Sequence, residues 1–532
     1  MKFRKSEDIF HLIGESDARY LADAKKKPNC RLPVWSTAIA AMLVVVLIVS
    51  SMLTGGFGLF PSGTPGETTG TPFTSGGVLG NETTGDPFVT TAEILEILTR
   101  PDPEDTREPY IPPSPSLLAN FAVTSVEYPS RHPYAGYGMD NVATLRPLWI
   151  EEQQRLKADV AALKATPDDF FTRLCKAMLE SAEQENAVLS PMNVYMALAM
   201  VAEVTDGSSR QEILDLLGED SIESLRATAS VLWNSHYRDD GMSIIKLAAS
   251  LWLRDDLNYK TEALEKIASL YCASSYKGKM GSSEYNDALR AWLNEQTGGT
   301  LQDQIQDVSM DEETVLGMAT TVYLCLKWEN EFWEPNTSES VFYGANGAMY
   351  ADFMNNVYRD YYYDGSGFSA VRLPFAESGY MSILLPDENV EVSSLFSNAE
   401  AQALISSPND VWKQTKMHEI TLSLPKFDVS HDMDLIEGMK SLGVHAIFDP
   451  TASDFTPLTD LDRLFVDKMS HGARVAIDEE GCTASAFTFV KLESEGVPQY
   501  PPVTFTVDRP FLFVVTSDTG LPLFVGVVNT IY

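Results

Sequence analysis

Between Asp478 and Val490 the chain reads Asp-Glu-Glu-Gly-Cys-Thr-Ala-Ser-Ala-Phe-Thr-Phe-Val, a strand pattern with an unusually small inner face. With period two, Cys482, Ala484, Ala486 and Thr488 share one face, and Thr483, Ser485, Phe487 and Phe489 the other. No proline lies between Gly481 and Leu492, so no ladder donor is missing. The chain then turns polar and proline-rich, from Lys491 to Pro502. A segment able to be a buried strand thus runs straight into one that reads as an exposed loop. A segment of this kind is able to change state. The plain alternative is an ordinary edge strand and loop, but that calls for larger inward residues.

The formal charge of −36 argues against nucleic acid as a partner, because phosphate binding needs a basic face. The five cysteines, Cys30, Cys175, Cys272, Cys325 and Cys482, have no close spacing, and the seven histidines form no ligand motif. Neither a phosphate-binding glycine loop nor a Gly-x-Ser-x-Gly elbow is present. No disulfide, metal, cofactor or catalytic residue is expected, and the chain does not read as an enzyme.

Residues 34–53 are an uncharged apolar run, and about 20 such residues suffice to cross a bilayer. Lys25, Lys26, Lys27 and Arg31 precede it and Glu67 is the first charge after it, which predicts a cytoplasmic amino terminus. The run is long for a secretory signal core, and no clean small-x-small site follows it directly. A retained single-pass signal anchor in the cell membrane is therefore expected in preference to a cleaved signal. The domain reading is 1–33 cytoplasmic, 34–53 transmembrane, 54–116 a flexible Gly/Thr/Pro-rich linker and 117–532 an extracellular globular domain.

Within that domain helical spacing comes first, at 167–179, 194–202, 210–217 and 288–297. Strand patterns follow at 244–253, 321–328, 381–385, 419–427, 474–477, 503–505 and 511–515. That order predicts α+β architecture.

Several blocks then carry a resemblance. Asn186-Ala-Val-Leu-Ser-Pro-Met-Asn193 leads into a helix; Trp292-Leu293 precedes Thr297 and Gly299; Tyr323-Leu-Cys-Leu-Lys-Trp328 is followed by Phe332. Leu424-Pro-Lys-Phe427, Leu442-Gly443 and Asp454-Phe455 come next, and Phe505-Thr-Val-Asp-Arg-Pro-Phe-Leu-Phe-Val-Val515 is the most specific block. In family order these resemble a serpin, over about residues 117–532, here of a membrane-tethered and prokaryotic-like type. The resemblance implies three β-sheets, about eight or nine helices and an exposed reactive-centre loop. It also implies inhibition of a serine-type or cysteine endopeptidase through loop cleavage, a covalent acyl complex and insertion of the loop into the central sheet. A non-inhibitory serpin acting as a binding or scaffold module is the second reading, suggested by Cys482 and Phe487.

By the same resemblance the loop hinge is Glu479, Glu480, Gly481, Cys482, Thr483, Ala484, Ser485 and Ala486. The sheet-opening region is Ser190, Asn193, Thr320, His471, Trp328 and Lys426, with Lys426 and Glu479 as a pair. Asn193, Thr320 and Val204-Thr205 depart from the residues usual in the family, all near where the sheet parts. Counting from Gly481 puts the reactive bond at Glu495–Gly496; counting back from Phe505 puts it at Gly496–Val497.

Overall fold

The computed structural model describes residues 115–531, except 127, 129–138, 164–166, 183, 240–242, 298–304, 307, 377 and 483–499. The expected membrane anchor and nearly all of the linker therefore lie outside the described residues. So do Thr483, Ala484, Ser485, Ala486, Glu495, Gly496 and Val497. Among the described residues no helix is long and apolar enough to cross a membrane.

An eight-stranded central sheet organises the domain. Across it run Ala122–Thr124, Ala273–Gly278, Ile244–Arg254, Leu316–Lys327, Gly481–Cys482, Ser470–Ile477 and Phe427–Asp434, with Arg238–Asp239 alongside Ile244–Arg254. A second ladder has nine strands. Its 19-residue strand Gly347–Gly365 pairs first with Ser338–Gly344 and Lys416–Pro425, and at its end with Phe368–Phe375. Two sheets are thereby fused into one ladder, which makes three sheets in all.

The sheets and helices enclose two large apolar cores. One lies under the helices Asp168–Leu179, Pro191–Val204 and Ile222–His236; the other lies between the sheets, around Phe353, Phe427, Phe511 and Phe513. In Asp168–Leu179 the buried residues Phe170, Phe171, Leu174, Cys175 and Met178 recur at the spacing of one helical face, behind the acidic first turn of Asp168 and Asp169. The strand Phe511–Thr516 is buried at every position, as its continuous apolar run requires.

Two expectations are corrected. Eleven α-helices lie among the described residues, not eight or nine. Pro408–Trp412 and Ile436–Ser441 are too short to display a 3.6-residue period, and Met139–Ala161 precedes the resembling blocks. The run 419–427 is two strands, not one: Pro425 ends a strand of the second ladder and Phe427 begins one of the central sheet. Lys426 is the residue at which the chain changes sheets.

Candidate functional site: the head of the central sheet

Gly481 and Cys482 form a two-residue strand between the strands Leu316–Lys327 and Ser470–Ile477. Gly481 pairs with Lys327, and Cys482 with both Leu326 and Ile477. Among the described residues the sheet ladder joins the two flanking strands only through this short piece, and the rest of the gap between them is the slot.

The chain reaches that position through a tight turn. Asp478 Oδ1 accepts hydrogen bonds from the Glu480 and Gly481 amides at 2.9 and 3.1 Å, and the Asp478 amide donates to the Gly481 carbonyl. Asp478 thus closes the turn before Gly481, a part that the motif resemblance did not single out; the Asp-x-x-Gly spacing, which favours such side-chain turns, is the signal that carries it. Burial pushes the Asp478 carboxyl above its usual range, against those amide bonds. Gly481 also meets a packing demand. Its φ is not positive, so it is not a left-handed pivot. A Cβ there would fall on the Leu326 carbonyl and crowd Lys327 Cα, so glycine is required by close backbone approach.

Trp328 locks the turn in place. Its indole donates to the Asp478 carbonyl at 2.9 Å and its amide to the Glu480 carbonyl at 3.0 Å, while the Phe332 amide donates to the Glu479 carbonyl. The indole is buried against Phe375, stacked at 4.8 Å between centroids. Glu479 meets Lys426 at 2.8 Å, and the Thr337 hydroxyl donates to the same Glu479 oxygen at 2.7 Å. Burial alone opposes the Glu479 charge, but the bonds from Lys426 and Thr337 outweigh it and hold the carboxyl below its usual range.

The residue facing the hinge from the next strand, Lys327, is buried, and its ammonium makes no hydrogen bond among the described residues. Burial lowers its pKa against the pull of Glu331 and Glu480. Sequence reasoning passed over it, because only the pairing of Lys327 with Gly481 brings it to the hinge.

Farther from the hinge, four of the expected residues meet at one helix terminus. Ser190 caps Pro191–Val204, its hydroxyl accepting from the Asn193 amide at 3.3 Å. The Ser190 amide donates to His471 Nε2 at 3.0 Å, and the Asn193 side chain donates to the Thr320 carbonyl at 3.2 Å. His471 lies on one strand flanking the slot and Thr320 on the other. The helix start therefore bridges the two strands. His471 is an acceptor here and so neutral; burial, with nearby His431 adding, lowers its pKa to about 4.

Beyond residue 499, Tyr500 packs under the Arg359 guanidinium at 5.7 Å, and the Glu419 amide binds the Pro501 carbonyl. The strand Pro502–Thr506 then runs parallel to Lys416–Pro425. The 17-residue span 483–499 is thus held at both ends by strands of different ladders.

Because Glu479 ties the hinge to the sheet-switch residue Lys426, Glu479→Lys should loosen the slot by about 1 kcal/mol, several-fold in rate. Heat-induced polymerisation, followed by native gel, should quicken accordingly; unchanged kinetics would refute the tie.

Known proteins are similar to this chain over most of their length. A wheat (Triticum aestivum) protein, Serpin-Z1A, is 27% identical over 395 residues, covering 70% of this chain and 98% of its own length. Mouse (Mus musculus) plasminogen activator inhibitor 1 is 25% identical over 377 residues, covering 67% and 90% respectively. Among solved structures, the thermophilic serpin tengpin in its native state superposes with a TM-score of 0.62 at 26% identity, over 69% of this chain and 94% of that one. Residues 165–531 match the family described as Serpin (serine protease inhibitor), and over that majority of its length the chain belongs to the serpin family.

Proposed function

We propose that this serpin is a surface-tethered suicide inhibitor of endopeptidases, with residues 483–499 as bait. The target's serine hydroxyl, or a cysteine thiol, attacks the carbonyl of Glu495 or Gly496. The peptide bond to the next residue breaks, its nitrogen leaves as a free amine, and an ester or thioester joins the two proteins. The freed hinge side then inserts below Gly481–Cys482 as a further central strand, drawing the acylated enzyme with it before water can cleave the ester. The added strand satisfies backbone donors and acceptors on both flanks, which supplies the driving free energy.

The observation that carries this reading is the seating of Gly481–Cys482 at the head of the slot, already in register with both flanking strands. The residues that follow in sequence alternate small side chains suited to continuing that strand. The apolar run 34–53 would hold the inhibitor in the cell membrane with the serpin domain outside.

The test is to incubate the chain with a panel of serine and cysteine endopeptidases. An adduct stable to denaturing gel electrophoresis is expected, with mass spectrometry placing the cut at Glu495–Gly496 or Gly496–Val497. Cleavage without an adduct, and without a rise in thermal stability, would instead support a binding or scaffold role. A mature chain beginning near Thr54 would overturn the tether.

A further inference from the structure

One face of the second ladder is open to solvent beside both ends of the span 483–499. On it stand Tyr343 and Tyr350, 59% and 73% exposed, and Val357, 60% exposed. Along Gly347–Gly365 the outward residues are Ala348, Tyr350 and Asp352, then Val357 and Arg359. The buried neighbours Phe353 and Met354 mark the bulge that moves the alternation by one, so all of these share the face. Large apolar side chains clustered in the open are a mark of an interaction surface.

The hairpin of Ser338–Gly344 with Gly347–Gly365 sets these side chains close together. Outward from its turn, every second pair faces solvent: Tyr343 opposite Ala348, Val341 opposite Tyr350, and Glu339 opposite Asp352. The Tyr343 amide donates to the Asp508 carbonyl at 2.7 Å, and the Asp352 carbonyl accepts from the Lys426 amide at 2.9 Å, both away from the partner strand. These are therefore the non-hydrogen-bonded pairs of the ladder, in which opposed side chains approach most closely. Glu339 and Asp352 are thus two exposed carboxylates directly across from each other, and neither forms an ion pair among the described residues. Like charges so placed destabilise a sheet. Nothing described in the domain offsets that repulsion; a cation brought by a partner would.

Position ties the face to the bait. Thr337, just before this strand, bonds Glu479 of the hinge turn, and Lys426, whose amide binds the Asp352 carbonyl, holds the same Glu479 carboxylate. At the other end Val357 lies opposite Thr421, and Thr421 opposite Thr504 of the strand that the bait runs into. Tyr500, at the end of the bait, packs under Arg359 of the same face. A protein that takes residues 483–499 into its cleft therefore stands beside this face. A second copy of the chain is the wrong occupant, because a formal charge of −36 makes it repel the two carboxylates. The chemistry that fits is a cationic protein surface, with Lys or Arg set between Glu339 and Asp352 and against the rings of Tyr343 and Tyr350.

We propose that this face is a docking surface on which a target endopeptidase with a basic exterior settles before it attacks the bait. The inference rests on the inhibitor reading of the loop. Its test is the rate of adduct formation between the full chain and two serine endopeptidases of the same cleavage preference, one of high and one of low isoelectric point. Glu339→Lys turns the repelling pair into an attracting one, so it should raise the thermal midpoint of the chain. The same variant should slow association with the cationic enzyme about tenfold at low ionic strength. Glu339→Gln/Asp352→Asn should move both quantities in the same directions by less. The acidic enzyme should react with both variants at the wild-type rate or faster. At about 1 M salt, where the screening length is about 3 Å, variants and wild type should converge. Wild-type rates with the cationic enzyme in both variants would overturn the docking surface. So would a slowing that survives high salt, since that marks a damaged loop and not a lost charge. A wild type that forms no adduct with any endopeptidase sinks the inhibitor reading itself, before any variant is compared, and removes this occupant with it.

Discussion

Replacing Ala486 by arginine should convert the chain from inhibitor into substrate. In the uncut loop a polar side chain at this position is expected to leave native stability within about 0.5 kcal/mol. On the proposed mechanism Ala486 belongs to the small face that enters the central sheet once the loop is cut. Burying an unpaired guanidinium there costs several kcal/mol, and each 1.4 kcal/mol slows insertion about tenfold. Hydrolysis of the ester then wins the competition. Denaturation-resistant adduct should fall by about a hundredfold while the rate of loop cleavage stays at the wild-type value. Adduct formation at wild-type yield would show that residue 486 never enters the sheet. Ala486→Ser, of similar volume, should inhibit normally, which separates the charge from mere substitution.

Acidification should open the slot through His471. Its ordinary pKa is about 6.5, and burial brings the folded value down to about 4. The unfolded chain therefore takes up the proton first as pH falls. The stability that neutral His471 contributes is full above about pH 6.5 and is lost progressively toward pH 4. The difference amounts to about 3 kcal/mol at most. Protonation also turns Nε2 from acceptor to donor, facing the Ser190 amide that now donates to it. The helix start then loses its hold on one flanking strand while Asn193 keeps the other at Thr320. The measurement is unfolding free energy against pH for wild type and His471→Gln. Glutamine can still accept from Ser190 but does not titrate, so the two curves should diverge by about 3 kcal/mol between pH 7 and 4. Parallel curves would mean that other groups govern the acid limb.

Short-range patterns were legible in proportion to how far local chemistry governs them. The helix expected at 167–179 is Asp168–Leu179, and the strand expected at 244–253 is Ile244–Arg254, because apolar periodicity and an acidic first turn act within the segment. Ser190 could be read as a cap from Ser-Pro before an apolar run. By contrast, 419–427 reads as one strand because Pro425 and Lys426 interrupt an otherwise alternating pattern too briefly to mark a change of sheet. The helix Ile222–His236 was missed, since a helix packed against both a sheet and neighbouring helices needs no single clean polar face. At the site, Lys426 and Glu479 were named through motif resemblance; their 2.8 Å contact joins two inter-strand links far apart in the chain and could not be derived from spacing.

The sequence by itself determined the composition of the moving part: a proline-free run of small alternating residues after Gly481, and before it an Asp-x-x-Gly that closes its own turn. These are properties of neighbouring residues, and neighbouring residues are all that local propensity can see. Only the tertiary structure decided what the run is aimed at. The Ser190–His471 bond joins residues 281 apart in the chain. The buried Lys327 ammonium is set opposite Gly481, and the glycine is demanded by the Leu326 carbonyl rather than by its own φ. The docking of Phe121 and Tyr128 likewise depends on their finding rings from distant helices. Each of these arises from strand register and helix packing, which bring together groups that no local pattern relates.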